Sequence, residues 1–321
     1  MKEFVMLVRR EFWEHRSLWI TPLLVAALML VAVIWEGERL KAAGLMAPAS
    51  VAVPVAPDTV WRGRDGRPPA VPQPPGLGIF GLQASFYVIA ALLIGAYLLD
   101  CLYAERRDRS VLFWKSMPIS DSAVIWSKLF VGLVAVPLIF YAAATLTGLI
   151  ATGILAALGQ QLDLGGGQPA SVYQWFQLQG VILYGVVATV LWYAPFAAYL
   201  LLISAFAKRS VLAWAIVPPV VLALTERVVL DTNVVGQIVQ RGYNELYRLA
   251  FRINQQIDLT LGDVLRPLRG GGGRGGGPRQ GFDARLDPTE LLASPQLWWG
   301  LVVAALFIWA AIAVRRRSQD A

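Results

Sequence analysis

The sequence predicts an all-α polytopic membrane protein with six transmembrane helices, and three observations carry that prediction. The first is composition: 57% of the 321 residues are hydrophobic and 15% charged, with a mean hydropathy of +0.56. A soluble domain carries about a quarter charged residues. The second is a set of six uncharged windows. Each reaches or approaches the ~20 residues that a helix rising ~1.5 Å per residue needs to cross a ~30 Å hydrocarbon core. Unpaired backbone groups are intolerable in lipid, so each window should be helical. The third is the placement of basic residues. Segments 1–17, 103–128, 208–209 and 315–321 hold half of the 28 Lys and Arg, and the 159–174 connection holds none. Short basic segments stay on the cytosolic side. Both termini and segment 103–128 are therefore expected in the cytosol. The net charge of +7 follows from this bias and from anionic headgroups, not from nucleic acid.

Taken in order, residues 1–16 are expected to form an amphipathic interfacial helix. Phe4, Val5, Val8 and Phe12 recur at helical spacing, Lys2, Arg9 and Arg16 lie around the side, and Met6 and Trp13 fall among the charges. Such a helix lies in the headgroup plane. The first window, Ser17–Trp35, is longer than the apolar region of a cleaved signal and is read as an uncleaved span. Residues 36–76 form an outer loop with eight prolines between Pro48 and Pro75. Proline fixes φ and removes donors, so an irregular, partly polyproline-like course is expected.

The next windows are Leu77–Leu99, Leu129–Leu158, Trp175–Ala207 and Ser210–Thr225. Ser120 is expected to cap the third span by accepting from amides near Ala123. Pro137 and Pro195 should kink the third and fourth spans. The fifth window is short and holds Pro218-Pro219, so it spans only with Glu226 and Arg227 at the outer interface. Segment 231–294 is an outer segment with a helix and a tether. Val235–Leu261 sets an apolar stripe including Ile238, Leu246 and Phe251 against a polar side, at helical spacing. Gly270–Gly281 lacks the Gly-Lys-Ser/Thr ending of a phosphate-binding loop and reads as a flexible tether. Asp287-Pro288-Thr289-Glu290 is a cap and first-turn signature, and Ser294-Pro295 opens the last window, Pro295–Val314. The single cysteine, Cys101, rules out an internal disulfide and a cysteine metal cluster, and is expected in packing.

Between spans two and three runs Glu105 to Asp121, ERRDRSVLFWKSMPISD. It opens with five charges and continues into an apolar knot, Val111-Leu112-Phe113-Trp114. A charged, amphipathic segment between two spans is a surface for contact. Glu105-Arg106, Ser110, Leu112, Pro118, Ser120 and Lys128 make it resemble the cytosolic coupling segment of ATP-binding-cassette (ABC) export permeases of the second bacterial class. Arg109 stands where that family carries Gly. The resemblance implies one permease domain over 1–321, with segment 103–128 as the cytosolic coupling loop. It further implies two permease chains forming a pathway and two cytosolic ATPase subunits beneath. Glu105, Arg106, Ser110, Leu112, Phe113, Trp114 and Pro118 would then couple the chain to the ATPase.

What is missing narrows the function as well. No window contains Asp, Glu, Lys, Arg or His, whereas ion-driven carriers need ionisable groups at membrane depth. An intramembrane hydrolase would need an acid–base pair there. The only histidine, His15, precedes the first span. No Walker-type phosphate loop is present, so no catalytic, metal or cofactor residue is expected in this chain. ATP and Mg belong on the partner ATPase. The expected function is the membrane-spanning subunit of an ABC exporter in a bacterial inner membrane, with lipid and a second permease chain as its other partners. The alternative is a non-transporting scaffold that anchors an assembly or sensing complex.

Overall fold

A computed structural model describes residues 2–42, 79–108, 120–157, 172–229, 246 and 288–317. All regular structure among them is helical. The elements are α1 (Lys2–Glu14), α2 (Ser17–Ala42), α3 (Ile79–Arg107), α4 (Asp121–Phe130), a π-helical turn (Val131–Ala135), α5 (Val136–Ala157), α6 (Val172–Trp192), α7 (Ala194–Phe206), α8 (Val211–Val229), α9 (Pro288–Ala293) and α10 (Pro295–Arg317). Six stretches are long and apolar enough to cross a membrane: Ser17–Trp35, Gln83–Arg107, Asp121–Ala157, Trp175–Trp192, Val211–Val228 and Pro295–Arg317. This is the make-up of a multi-pass membrane protein.

The helices run past the windows that announced them. α2 continues to Ala42, into the stretch expected to be an irregular loop. α3 reaches Arg107 and α4 starts at Asp121, so both ends of segment 103–128 are helical, and residues 109–119 lie outside the described residues. Ser120 caps α4 as its position predicts: it is extended (φ −73°, ψ 141°), and its hydroxyl accepts from the Ala123 amide at 3.3 Å.

Both proline kinks take a more specific form than a bend. Pro137 cannot donate to the carbonyl four residues back and its ring crowds that carbonyl. The strain is met just upstream, where Val131–Ala135 widens into a π turn. At Pro195 the helix breaks outright. Tyr193 leaves helical geometry (φ −92°, ψ 7°), and Pro195 sits within the first two positions of α7, where its missing N–H is harmless. The 33-residue fourth window is thus two helices.

The second of these, α7, is the centre of the bundle. It packs mainly on α10 and α3, while α5 packs on α2 and α3. Leu98, Leu102, Phe140 and Leu201 are buried in the shared core, and Cys101 is packed among them with 1% of its surface exposed. Small residues set two close approaches. A Cβ on Gly132 would stand 3.1 Å from Leu98 Cδ2, and one on Gly300 would stand 3.3 Å from Pro195 Cγ.

In α1 the inward face differs from the expected stripe. Leu7 and Glu11 are buried, whereas Val5 is 64% exposed. The proline-rich loop beyond Ala42, the Gly270–Gly281 tether and nearly all of Val235–Leu261 lie outside the described residues. Leu246, the described residue of that last segment, is helical and buried against Ala188, Leu291 and Leu297.

Candidate functional site

The charged face of α1 and the charged ends of α3, α4 and α10 meet in one buried cluster. Lys128, in the second turn of α4, is fully buried among Val124, Ile125 and Leu129. Its Nζ lies 2.8 Å from Glu11 Oε1 and 3.0 Å from Glu105 Oε1. Glu105 is the hub. Its Oε1 also accepts from Arg10 Nη2 at 3.2 Å, and its Oε2 accepts from Arg315 Nη1 at 3.1 Å. Arg315 Nε in turn donates to Asp121 Oδ1 at 2.9 Å. The second Glu11 oxygen accepts from the Tyr97 hydroxyl at 2.9 Å, and the His15 ring meets Tyr97 edge-on at 5.0 Å.

Among the described residues, the carboxylates of Glu11, Glu105 and Asp121 therefore face Arg10, Lys128 and Arg315, and the more exposed Glu14 also pairs with Arg10. This pairing is what permits burial, since an unpaired ion in this environment would cost several kcal/mol. Glu11, Glu14 and His15 also come within 4.8 Å of one another, a spacing compatible with a cation. However, both Glu11 oxygens and Glu14 Oε1 are already taken by Lys128, Tyr97 and Arg10.

The cluster brings the N-terminal helix and the end of α10 to one end of the bundle. It also places two of the expected coupling residues. Glu105 holds the cluster together. Arg106, its neighbour, points elsewhere: Nη2 donates to the carbonyls of Ser204 and Ala207, the latter at 2.9 Å. These are unsatisfied carbonyls at the end of α7, where a cation is favoured by both hydrogen bonding and the helix dipole. The Ser204 hydroxyl accepts from the amides of Leu102 and Tyr103, both at 3.1 Å, and completes the α3–α7 joint. Ser110, Leu112, Phe113, Trp114 and Pro118 lie outside the described residues.

At the other end of α3 the polar contacts carry no charge. Gln83 Nε2 donates to Gln179 Oε1 at 3.2 Å, Thr145 Oγ1 donates to the same oxygen at 3.1 Å, and the Tyr141 hydroxyl donates to the Gln179 carbonyl at 3.1 Å. Gln83 and Gln179 are buried. Gln83 and Glu105 are 22 residues apart on one helix, roughly 33 Å. The two sites therefore flank a distance close to the thickness of a hydrocarbon core, ~30 Å.

Sequence reasoning found Glu105, Arg106 and Lys128 but passed over Arg10, Glu11, Asp121 and Arg315. A signal for Glu11 and Arg315 was present. Glu11 follows Leu7, and Arg315 follows Ala311, each one helical turn along a buried face. A lone charge on an otherwise apolar face asks for a partner. The apolar windows also stopped short of Lys128 and Glu105, which the helices include. The absence of ionisable groups holds for the windows and not for the full helices.

No family model matches the chain, and neither does any curated protein or solved structure.

Proposed function

We propose that this chain is the membrane-spanning subunit of an ATP-driven exporter of the ABC type, working as a dimer in a bacterial inner membrane. Both termini face the cytosol, as the short basic segments favour. The first helix lies at the cytosolic interface, with exposed Val5, Met6 and Trp13 toward lipid headgroups. The expected coupling segment meets a separate cytosolic ATPase that supplies ATP and Mg.

The observation that carries this reading is the buried charge cluster around Glu105. In sequence, segment 109–119 follows Glu105 and Arg106 and precedes Asp121 and Lys128. Both its ends are tied to the same buried network, and through it to α1 and α10. A push on the segment is delivered to four helices at once. Arg106 adds the end of α7, the central helix. This is what a transmission joint needs: firmly held ends on both sides of the segment that a partner would grip.

The test is replacement of Phe113 and Trp114 together by Ala. Buried aromatic anchors are worth ~2 kcal/mol or more each at interfaces, so partner binding should weaken by at least about tenfold. The double variant should insert and melt as the parent does, yet fail to retain an ATPase on gentle solubilisation. Full retention of the ATPase together with nucleotide-dependent transport would overturn the role of the segment. A purified native complex without nucleotide-stimulated transport would favour a scaffold.

A further inference from the structure

We propose that the half of the bundle next to the ion cluster holds one anionic phospholipid, with an acyl chain in a groove beside α10 and its phosphate on Arg316. The groove has a volume of about 480 Å³ and is lined by aliphatic and aromatic side chains. Trp126 and Phe130 of α4 and Trp309 of α10 rise along it, and the small side chains of Ala194, Ala304 and Ala305 leave the space open. The lining holds no charged group and no side-chain acceptor, and its only side-chain donors are the indole N–H groups of Trp126 and Trp309, so hydrocarbon is the group that suits it.

Length and position fit a single acyl chain. The groove extends from Leu301 to Ile312 along α10, 11 residues or about 17 Å. That is close to half of a ~30 Å hydrocarbon core, the depth of one leaflet. Its inner end lies at Ala194, where the break at Tyr193 starts α7. Its outer end is bounded by Phe4, edge-on to Phe130 at 5.6 Å. The groove thus begins near mid-membrane and ends at the basic interface.

Charge selects the headgroup. Arg316 follows Ile312 by four residues and Trp309 by seven, which places it on the groove face of α10 one turn beyond the apolar lining. Arg316 is exposed, whereas the adjacent Arg315 is committed to Glu105 and Asp121. A lipid phosphate without a compensating choline or amine suits this position. The bound chain would also rest on Leu133 and Val134, two residues of the π turn in the third span. The inference rests on membrane crossing alone and not on coupling to an ATPase.

The experiment is native mass spectrometry of the full chain, purified with equal amounts of phosphatidylglycerol and phosphatidylcholine. One phosphatidylglycerol per chain should survive detergent removal, preferred about fivefold over phosphatidylcholine. Ala305→Trp, which fills the groove, should abolish retention of either lipid. Arg316→Gln, at an exposed position, should keep the lipid and lose the preference. Equal retention of both lipids by the parent chain, or none, would overturn the proposal. So would an Ala305→Trp chain that melts normally and still keeps its lipid, or one whose change is in oligomeric state alone, which would make the groove a contact between copies. Should Ala305→Trp fail to fold, an unchanged preference in Arg316→Gln is the overturning result.

Discussion

At one end of the bundle, ionised side chains from four helices meet around Glu105. Roughly 33 Å along α3, Gln83, Thr145 and Gln179 join three helices with no charge among them. The two joints differ in what happens when one member is lost. A neutral amide that loses a partner forfeits one hydrogen bond, and such bonds between membrane helices average ~0.6 kcal/mol. A buried ion that loses its partner keeps its desolvation penalty, so the loss is several-fold larger. The charged end therefore acts as one cooperative unit, while the amide end can loosen one contact at a time. If the bundle changes shape in use, the charged end should move as a body and the amide end should give way.

The largest test of this contrast is Lys128→Met, which leaves Glu11 and Glu105 facing each other across the space that Nζ occupied. Breaking a buried pair from one side costs ~3–5 kcal/mol, and thermal or SDS-induced unfolding of the purified chain should show it. A loss below about 1 kcal/mol would mean that water reaches the cluster and screens it.

A double variant sharpens the point. Adding Glu11→Gln to Lys128→Met removes one of the two stranded carboxylates and leaves Glu105 with Arg10 and Arg315. The double loss should fall below the sum of the single losses, with a coupling of ~1–3 kcal/mol. Strict additivity would show two independent sites instead of one cluster.

Arg106→Ala should cost ~2 kcal/mol, since a hydrogen bond to a charged group is worth ~1.5–3 kcal/mol and this guanidinium is only half-buried. Arg106→Lys should recover part of it by keeping the charge at the end of α7. Identical losses in both would assign the effect to the planar fork of the guanidinium alone.

The smallest effects should lie in the single neutral bonds. Ser120→Ala removes a long cap bond and should cost no more than about 1 kcal/mol. Gln83→Leu should cost ~0.6 kcal/mol. A Gln83→Leu chain that unfolds as readily as Lys128→Met would erase the contrast between the two ends.

How much of this was legible beforehand depends on the range of the interaction. Uncharged runs of about 20 residues name a membrane helix because the bilayer imposes its thickness on each segment separately. Five of the six runs mark their helices to within a few turns. Ser120 was equally readable, because a cap bonds to its own helix three residues on. Pro195 announced a disturbance, but whether a proline kinks a helix, ends it or shifts the strain to a π turn depends on what packs beside it. α7 breaks away at Tyr193 and becomes the central helix, while at Pro137 the chain widens upstream and continues.

The sequence by itself determined the helical class, the number of helices long and apolar enough to cross a membrane, and the concentration of charge beside the expected coupling segment. Only the tertiary structure decided which charges meet. Glu11 and Lys128 are separated by 117 residues, and Glu105 and Arg315 by 210. No local periodicity relates such pairs. Each of these side chains alone on its apolar face would be costly to bury, and it becomes stable only when four helices bring opposite charges within about 3 Å.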